Sequence, residues 1–419
     1  MRIEMRFISI ALLAAGVAAA ASLPTAKPEE VGLSSERLGR IHDAVERHIA
    51  EKNICGAVTI VARRGRVAHF EAQGVMDLES KKPMAKDAIF RMASMTKPVT
   101  AVAVMMLVEE GKIRLNDPIS RFLPEFKNLK VAMPLETPTP GRGPREPEIY
   151  VIPAIREVTI QDILTHTSGV VSGGLGARQA QKLAPRNPND TLADYIPRLA
   201  AVPLDFQPGS QWAYSGTAGP DILGRIVELV SGMTYDAYLR QRIFDPLGMK
   251  DTFFYPSEDR RPRLVTLYQR TSEGLSKSQN QDGFSTKTYF SGGAGLMSTP
   301  EDYLQFAQML LNGGELNGKR LLSPRTVEFM ASNHVGEMFN GKVGRPAHGM
   351  GFGFLMQVVL DWVQTERQVS TGSFGWDGAY GTLFWVSPKE KMVELLMIQT
   401  QDQVLQRDFE NAVMQAIIE

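Results

Sequence analysis

The run Phe90-Arg91-Met92-Ala93-Ser94-Met95-Thr96-Lys97 leads without a break into an apolar segment of helical spacing, and no other stretch restricts the fold and chemistry of this chain as strongly. Residues three apart share one face of a helix, so the spacing sets the Ser94 hydroxyl beside the Lys97 amine. Val99, Val102, Ala103, Met106 and Leu107 predict a buried stripe, and Gly111 offers a C-terminal cap. Ser94 is then expected at the amino end of the helix, where unpaired backbone N–H groups and the helix dipole favour a developing oxyanion. A Ser-x-x-Lys pattern arises about once by chance in a chain of this size. It gains weight here from its place at the head of a buried helix, and because no other serine in the chain has lysine three residues on.

Two downstream segments add to it. Gln207-Pro208-Gly209-Ser210-Gln211-Trp212-Ala213-Tyr214-Ser215-Gly216 is a turn-rich loop ahead of a second apolar helix at about 218–230. Phe374-Gly375-Trp376-Asp377-Gly378-Ala379-Tyr380-Gly381-Thr382 leads into the strand-like Leu383-Phe384-Trp385-Val386. In this order the three segments resemble the serine β-lactamase and penicillin-binding-protein superfamily, in the class C-like branch that also holds the family VIII carboxylesterases. Ile163-Leu164-Thr165-His166-Thr167-Ser168-Gly169, Phe244-Asp245-Pro246-Leu247-Gly248-Met249 and Ser291-Gly292-Gly293-Ala294-Gly295-Leu296-Met297-Ser298-Thr299 extend the likeness, which runs from about residue 28 onward.

Position by position, the resemblance puts the first motif of that family on Ser94 and Lys97, its tyrosine motif on Tyr214 and its third motif on Trp376-Asp377-Gly378. It implies Ser94 as nucleophile, Lys97 and Tyr214 as its proton-transfer partners, and the backbone N–H groups of Ser94 and Ala379 as the oxyanion hole. Two departures carry information. Tyr214-Ser215-Gly216 stands where lactamases of this branch have Tyr-x-Asn, and Trp376-Asp377-Gly378 stands where they have Lys-Thr-Gly. The missing amide and ammonium position the amide and carboxylate of a β-lactam, whereas a Trp-x-Gly third motif resembles the esterase subgroup. Gly216, Trp376, Asp377 and Gly378 are therefore the expected substrate-binding positions.

An ordinary lysine, near about 10.4, and an ordinary tyrosine, near about 10, are both protonated at neutral pH, so each must be tuned by the other before either takes a proton from serine. A cationic Lys97 favours phenolate at Tyr214; a desolvated Lys97 can be the base itself. The two titrate as a pair, and the sequence leaves the assignment open. Glycine at 378 gives room for close backbone approach at the oxyanion hole. Trp376 is either a pocket wall or a strand residue turned inward. Asp377 either repels anionic substrates or faces away, because strand neighbours alternate sides. His166 is expected to tie down a turn.

Other chemistries lack their signatures. The chain has no Gly-x-Ser-x-Gly elbow, no His-Glu-x-x-His, no cysteine pair and no phosphate-binding glycine loop, so no metal and no cofactor are expected. With 46 basic and 46 acidic side chains there is no net charge to favour nucleic acid or an anionic membrane. The 43% hydrophobic content is ample for a buried core.

Arg2 and Arg6, the apolar stretch 7–20 and Ala19-Ala20-Ala21 read as a signal peptide over 1–21, too short for a stable membrane span and directing a periplasmic or secreted location. Translation from Met5 would give a cleaner signal, without Glu4. The single Cys55 permits no internal disulfide.

Residues 22–419 are expected to form one catalytic domain of α+β class, an α/β sandwich plus a helical lobe. The α/β lobe would take about 28–90 and 290–419, and the mainly helical lobe about 91–289. Ser34 or Ser35 can cap a helix whose Leu38, Ile41, Val45 and Ile49 share a face. Residues 57–62 and 67–72 read as a hairpin about Arg64-Gly65, and two late strands flank Ser387-Pro388-Lys389-Glu390 before a final helix. Together they predict an antiparallel sheet built from both ends of the chain. Residues 134–148 and 172–190 read as long loops, the second expected to border the pocket.

The sequence thus points to an exported serine hydrolase of short-chain carboxylic esters working through an acyl-enzyme on Ser94, its partner a small ester, its oligomeric state open. The alternatives are a β-lactamase or DD-peptidase, an acyltransferase, or a silent ligand-binding domain of the same fold.

Overall fold

The computed structural model describes residues 22–135, 148–339 and 348–419. The segment read as a signal peptide lies outside them, as does nearly all of the loop at 134–148.

The centre is an eight-stranded antiparallel sheet. In chain order its strands are β1 (Gly56–Arg63), β2 (Arg66–Asp77), β3 (Lys82–Pro83), β4 (Met350–Phe352), β5 (Gln357–Val359), β6 (Phe374–Asp377), β7 (Leu383–Ser387) and β8 (Met392–Met397). Their spatial order is β4-β5-β6-β7-β8-β1-β2-β3, so the two ends of the chain meet where β8 pairs β1. The β1–β2 hairpin turns at Arg64 and Gly65, both at positive φ (53° and 74°), the backbone of a tight hairpin turn that favours Gly at its second position.

Strands β1, β7 and β8 are buried on both faces and divide their side chains between two cores. Val58, Ile60, Phe384, Val386, Val393, Leu395 and Met397 join the inner core, toward the helical segments. Ala57, Val61, Leu383, Trp385, Met392 and Leu396 join the outer one. This is the period-two alternation of a strand, with apolar residues in both registers because each face is covered. The outer cover is α1 (Ser35–Ala50) and α5 (Gln403–Met414). Ser34 caps α1, accepting from Arg37 N, and Leu38, Ile41 and Val45 are buried along it.

On the inner side lie α2 (Thr96–Glu109), α3 (Ala218–Ser231) and α4 (Pro300–Leu311). Helix α2 corrects the expectation of a single stripe: every residue from 96 to 107 is buried, because the helix runs through the middle of the molecule. The intervening segment is not wholly helical, for it carries two small hairpins, at Lys130–Pro134 with Ile149–Pro153 and at Tyr268–Thr271 with Gly274–Lys277. Among the described residues no helix is long and apolar enough to cross a membrane.

Candidate active site

Ser94 sits in a single 3-10 turn, Ala93–Met95, that feeds directly into α2. Ser94 thus lies just ahead of the helix rather than in it, and Lys97, three residues on in the first turn of α2, shares its side of the chain. Ala93 enters the turn at φ +44°, a left-handed conformation costly for a residue with a Cβ. The turn is held on several sides: Met92 N donates to Leu296 O at 2.9 Å, and the Tyr303 hydroxyl donates to Met95 O at 2.8 Å. These bonds fix Ser94 independently of any substrate.

Lys97 has no exposed surface. Its Nζ donates to Ser94 Oγ at 3.1 Å and to the Gly293 carbonyl at 2.7 Å, and lies 4.8 Å from the centre of the Tyr214 ring. The Tyr214 hydroxyl reaches Ser94 Oγ from the other side at 2.7 Å. Burial raises the Tyr214 phenol well above its usual range; hydrogen bonds with Ser94 and Trp376 act the other way, and the Asp377 charge adds to the rise. Tyr214 therefore rests as the neutral phenol.

His166 holds the tyrosine from behind. Ala213 N donates to the His166 carbonyl at 3.0 Å and Ser215 N to its Nδ1 at 3.3 Å, so one residue brackets Tyr214 on both sides, with its ring 4.9 Å from the phenol ring. The turn expected of His166 is present, at φ +58°, and its object is the Tyr214 segment.

Beside Ser94 opens a cavity of about 270 Å³ lined by Ser94, Val171, Tyr214, Gly216, Thr217, Ala218, Phe284, Ala294 and Ala379. No side chain in that lining carries a formal charge at neutral pH. Gly216 faces open space, since a Cβ there would meet nothing within 4 Å. Gly378 is different: a Cβ would fall 2.2 Å from Thr382 Oγ1 and 2.5 Å from Met92 O, so only glycine lets this strand end lie against the Ser94 turn and bring Ala379 to the cavity.

The remaining third-motif residues stand back from the cavity. Trp376 is 1% exposed and packs behind Tyr214, ring centres 5.7 Å apart, so it is the inward-turned strand residue rather than a wall. Asp377 is on the opposite face of β6, paired with Leu383 of the outer core, and its charge acts on Tyr214. The loop at 172–190 also departs from expectation. It contributes no lining residue; Val171, just before it, does, at a strained φ of +41°. The loop is instead tied down at Ser172 N and Ala177 N by the Asp205 carboxylate.

One group escaped the sequence reading. Asp221, in the first turn of α3 and 2% exposed, accepts hydrogen bonds from the Tyr289 hydroxyl (2.7 Å), the Ser291 hydroxyl (2.7 Å) and Gly293 N (3.0 Å). No spacing rule ties residue 221 to residue 97, and the only hint was the glycine-rich stretch 291–297. Among the described residues no group of three or more His, Cys, Asp or Glu side chains converges to hold a metal ion.

Comparison with known proteins agrees with this architecture. A family profile described as Beta-lactamase matches residues 41–416. Protein Rv1367c of Mycobacterium tuberculosis is 34% identical over 359 residues, covering 83% of this chain and 86% of that protein. Esterase EstB of Burkholderia gladioli is 32% identical over 408 residues, covering 91% of this chain and 94% of EstB. Among solved structures, EstCE1, described as a hydrolase with promiscuous acyltransferase activity, is similar with a TM-score of 0.76 at 26% identity, over 90% of this chain and 99% of EstCE1. The chain belongs to the beta-lactamase family and is a serine hydrolase of the superfamily that joins serine β-lactamases and penicillin-binding proteins to their esterase relatives.

Proposed function

We propose that the protein hydrolyses short-chain carboxylic esters through an acyl-enzyme on Ser94. The observation that carries this reading is the convergence of Lys97 Nζ and Tyr214 Oη on Ser94 Oγ at the edge of a small cavity without charged side chains. The Ser94 oxygen attacks the ester carbonyl while its proton passes to the Lys97–Tyr214 pair, acting as a unit. The tetrahedral oxyanion is held by the backbone N–H groups of Ser94 and Ala379. As the intermediate collapses, the C–O bond to the alcohol breaks and Tyr214, a phenol at rest, gives the departing oxygen its proton. Water then repeats the sequence on the acyl-enzyme: it loses a proton to the pair, attacks the acyl carbon, and Ser94 leaves and is reprotonated.

The uncharged lining favours esters over β-lactams and D-alanyl peptides, which bring a carboxylate that needs a cationic or amide partner. The family branch implied by Trp376-Asp377-Gly378, that of the family VIII carboxylesterases, is part of the same reading. So is export directed by residues 1–21, which N-terminal mass measurement of the mature protein from periplasm and medium would check; an intact Met1 or Met5 there would remove it.

Activity on p-nitrophenyl butyrate and on a chromogenic cephalosporin, with Ser94→Ala alongside, tests the reading. Ester turnover abolished by the substitution supports it. Preferential lactam turnover would make the protein a β-lactamase, and no acylation by either substrate would make it a binding domain.

A further inference from the structure

We infer that Asp221 is a positioning residue for Lys97, acting through Gly293. The carboxylate lies in a second layer behind the nucleophile, at the start of α3, and its three hydrogen bonds all go to the segment at 289–293. That segment ends on the carbonyl to which Lys97 Nζ donates at 2.7 Å. Gly293 is clasped between the two: its N–H donates to Asp221 Oδ1 and its C=O accepts from Lys97. A Cβ at this position would fall 2.7 Å from Thr217 Cα and 2.8 Å from Gly216 O, so the Gly293 backbone lies close against residues at the edge of the cavity.

Three donors are more than the fold needs to join one loop to one helix, and a buried carboxylate is a costly way to join them. The arrangement does serve a buried lysine. A chain from Asp221 through a polarised peptide to the Lys97 amine fixes that amine at Ser94 and sets a negative charge behind it. Burial raises the Asp221 carboxyl above its ordinary range, against the pull of Ser291, Tyr289, Gly293 and Lys97. Among the described residues the phenols of Tyr195, Tyr235 and Tyr289 also sense its charge, and Arg186 stacks on the Tyr289 ring at 3.9 Å.

The inference rests on the reading of Ser94 as nucleophile, and one set of assays separates the two. On p-nitrophenyl butyrate, Asp221→Asn removes the charge, and Ser291→Ala removes one donor while keeping the charge. Asp221→Asn should lower kcat by about ten- to a hundredfold with little change in KM. It should also move the limb of the kcat–pH profile that reports the Lys97–Tyr214 pair to lower pH, because loss of a nearby negative charge makes either group release its proton more readily. Ser291→Ala should lower kcat by a few-fold, roughly the effect of one hydrogen bond, and leave that limb in place. An unmoved limb in Asp221→Asn, with kcat falling only in step with thermal stability, would overturn the inference. If Asp221→Asn does not fold, Ser291→Ala decides by the same kcat-against-KM comparison, and an unchanged kcat overturns it. Full activity in Ser94→Ala would remove the underlying reading instead; an inactive Ser94→Ala beside wild-type behaviour in the Asp221 and Ser291 variants removes this inference alone.

Discussion

Tyr214 Oη and Ser94 Oγ lie 2.7 Å apart although the two residues are separated by 120 positions in the chain. That closeness depends on structure in both directions: a strained turn presents the serine, and two hydrogen bonds, one to the His166 carbonyl and one to its Nδ1, present the tyrosine. With Lys97 Nζ also donating to it, Ser94 Oγ has two hydrogen-bond donors in place before any substrate arrives.

Tyr214→Phe and Lys97→Met should each lower kcat/KM on a butyrate ester by about a hundredfold or more, the usual worth of a positioned acid or base. The double variant should lose little beyond the worse single one, because the pair acts as a unit. Steady-state kinetics of the three proteins checks this, and fully multiplicative losses would show that the two groups act separately.

Gly378→Ala tests the oxyanion hole. Its Cβ would overlap Thr382 Oγ1 and Met92 O, so the Ala379 N–H must shift from the Ser94 turn. The expected loss is about a hundredfold in kcat with KM nearly unchanged and a folded circular-dichroism spectrum. A wild-type kcat would place the oxyanion elsewhere.

Val171 lines the cavity at a φ that L-residues with branched side chains avoid, at a cost on the order of 1–3 kcal/mol. Val171→Gly relieves the strain and deepens the cavity. The ratio of kcat/KM for octanoate over butyrate esters should rise roughly tenfold, measured over a chain-length series. An unchanged ratio would assign chain-length control to another wall, with Phe284 the next to examine.

A stability prediction concerns the outer core. Glu394 of β8 is fully buried, and among the described residues neither of its carboxylate oxygens has a hydrogen-bond partner. Burial, reinforced by the Glu410 charge and opposed by Arg367, holds its carboxyl well above the ordinary value of 4.5. The folded protein therefore grips this proton more tightly than the unfolded chain does. The stability linked to it is complete below pH 4.5 and is lost as pH climbs toward the folded-state value. As pH rises above 4.5 toward the folded-state value the wild type should lose up to about 1.4 kcal/mol per pH unit relative to Glu394→Gln. Urea unfolding of both proteins at a series of pH values above 4.5 measures the difference, and parallel curves would mean that Glu394 ionises freely.

Much of this was legible from the chain alone, for identifiable reasons. Ser94 and Lys97 are joined by local helical geometry, and the hairpin about Arg64-Gly65 by turn chemistry, so both could be read from a few adjacent residues. The sheet uniting both ends followed from short, nearly continuous apolar runs at 57–62 and 383–386 with turn residues beside them. What could not be read depends on distant packing. Strands β4 and β5 have three residues each, too few to show a period. Nothing in the local pattern of helix α2 marks Thr96, Lys97 and Thr100 as buried, yet they are, their polar atoms bonded to Leu296 N, to Ser94 and Gly293, and to Tyr235 and Gly292. Asp221 was hidden for the same reason, since its partners lie some seventy residues away and only folding gathers them.

The central claim is that ester turnover passes through a covalent bond to Ser94, and mass spectrometry of protein quenched during turnover of p-nitrophenyl butyrate tests it most directly. The account predicts a butyryl group on the peptide that contains Ser94, accumulating in wild type and absent from Ser94→Ala. Ester turnover by the wild type with no adduct, or an adduct on a residue other than Ser94, would contradict it.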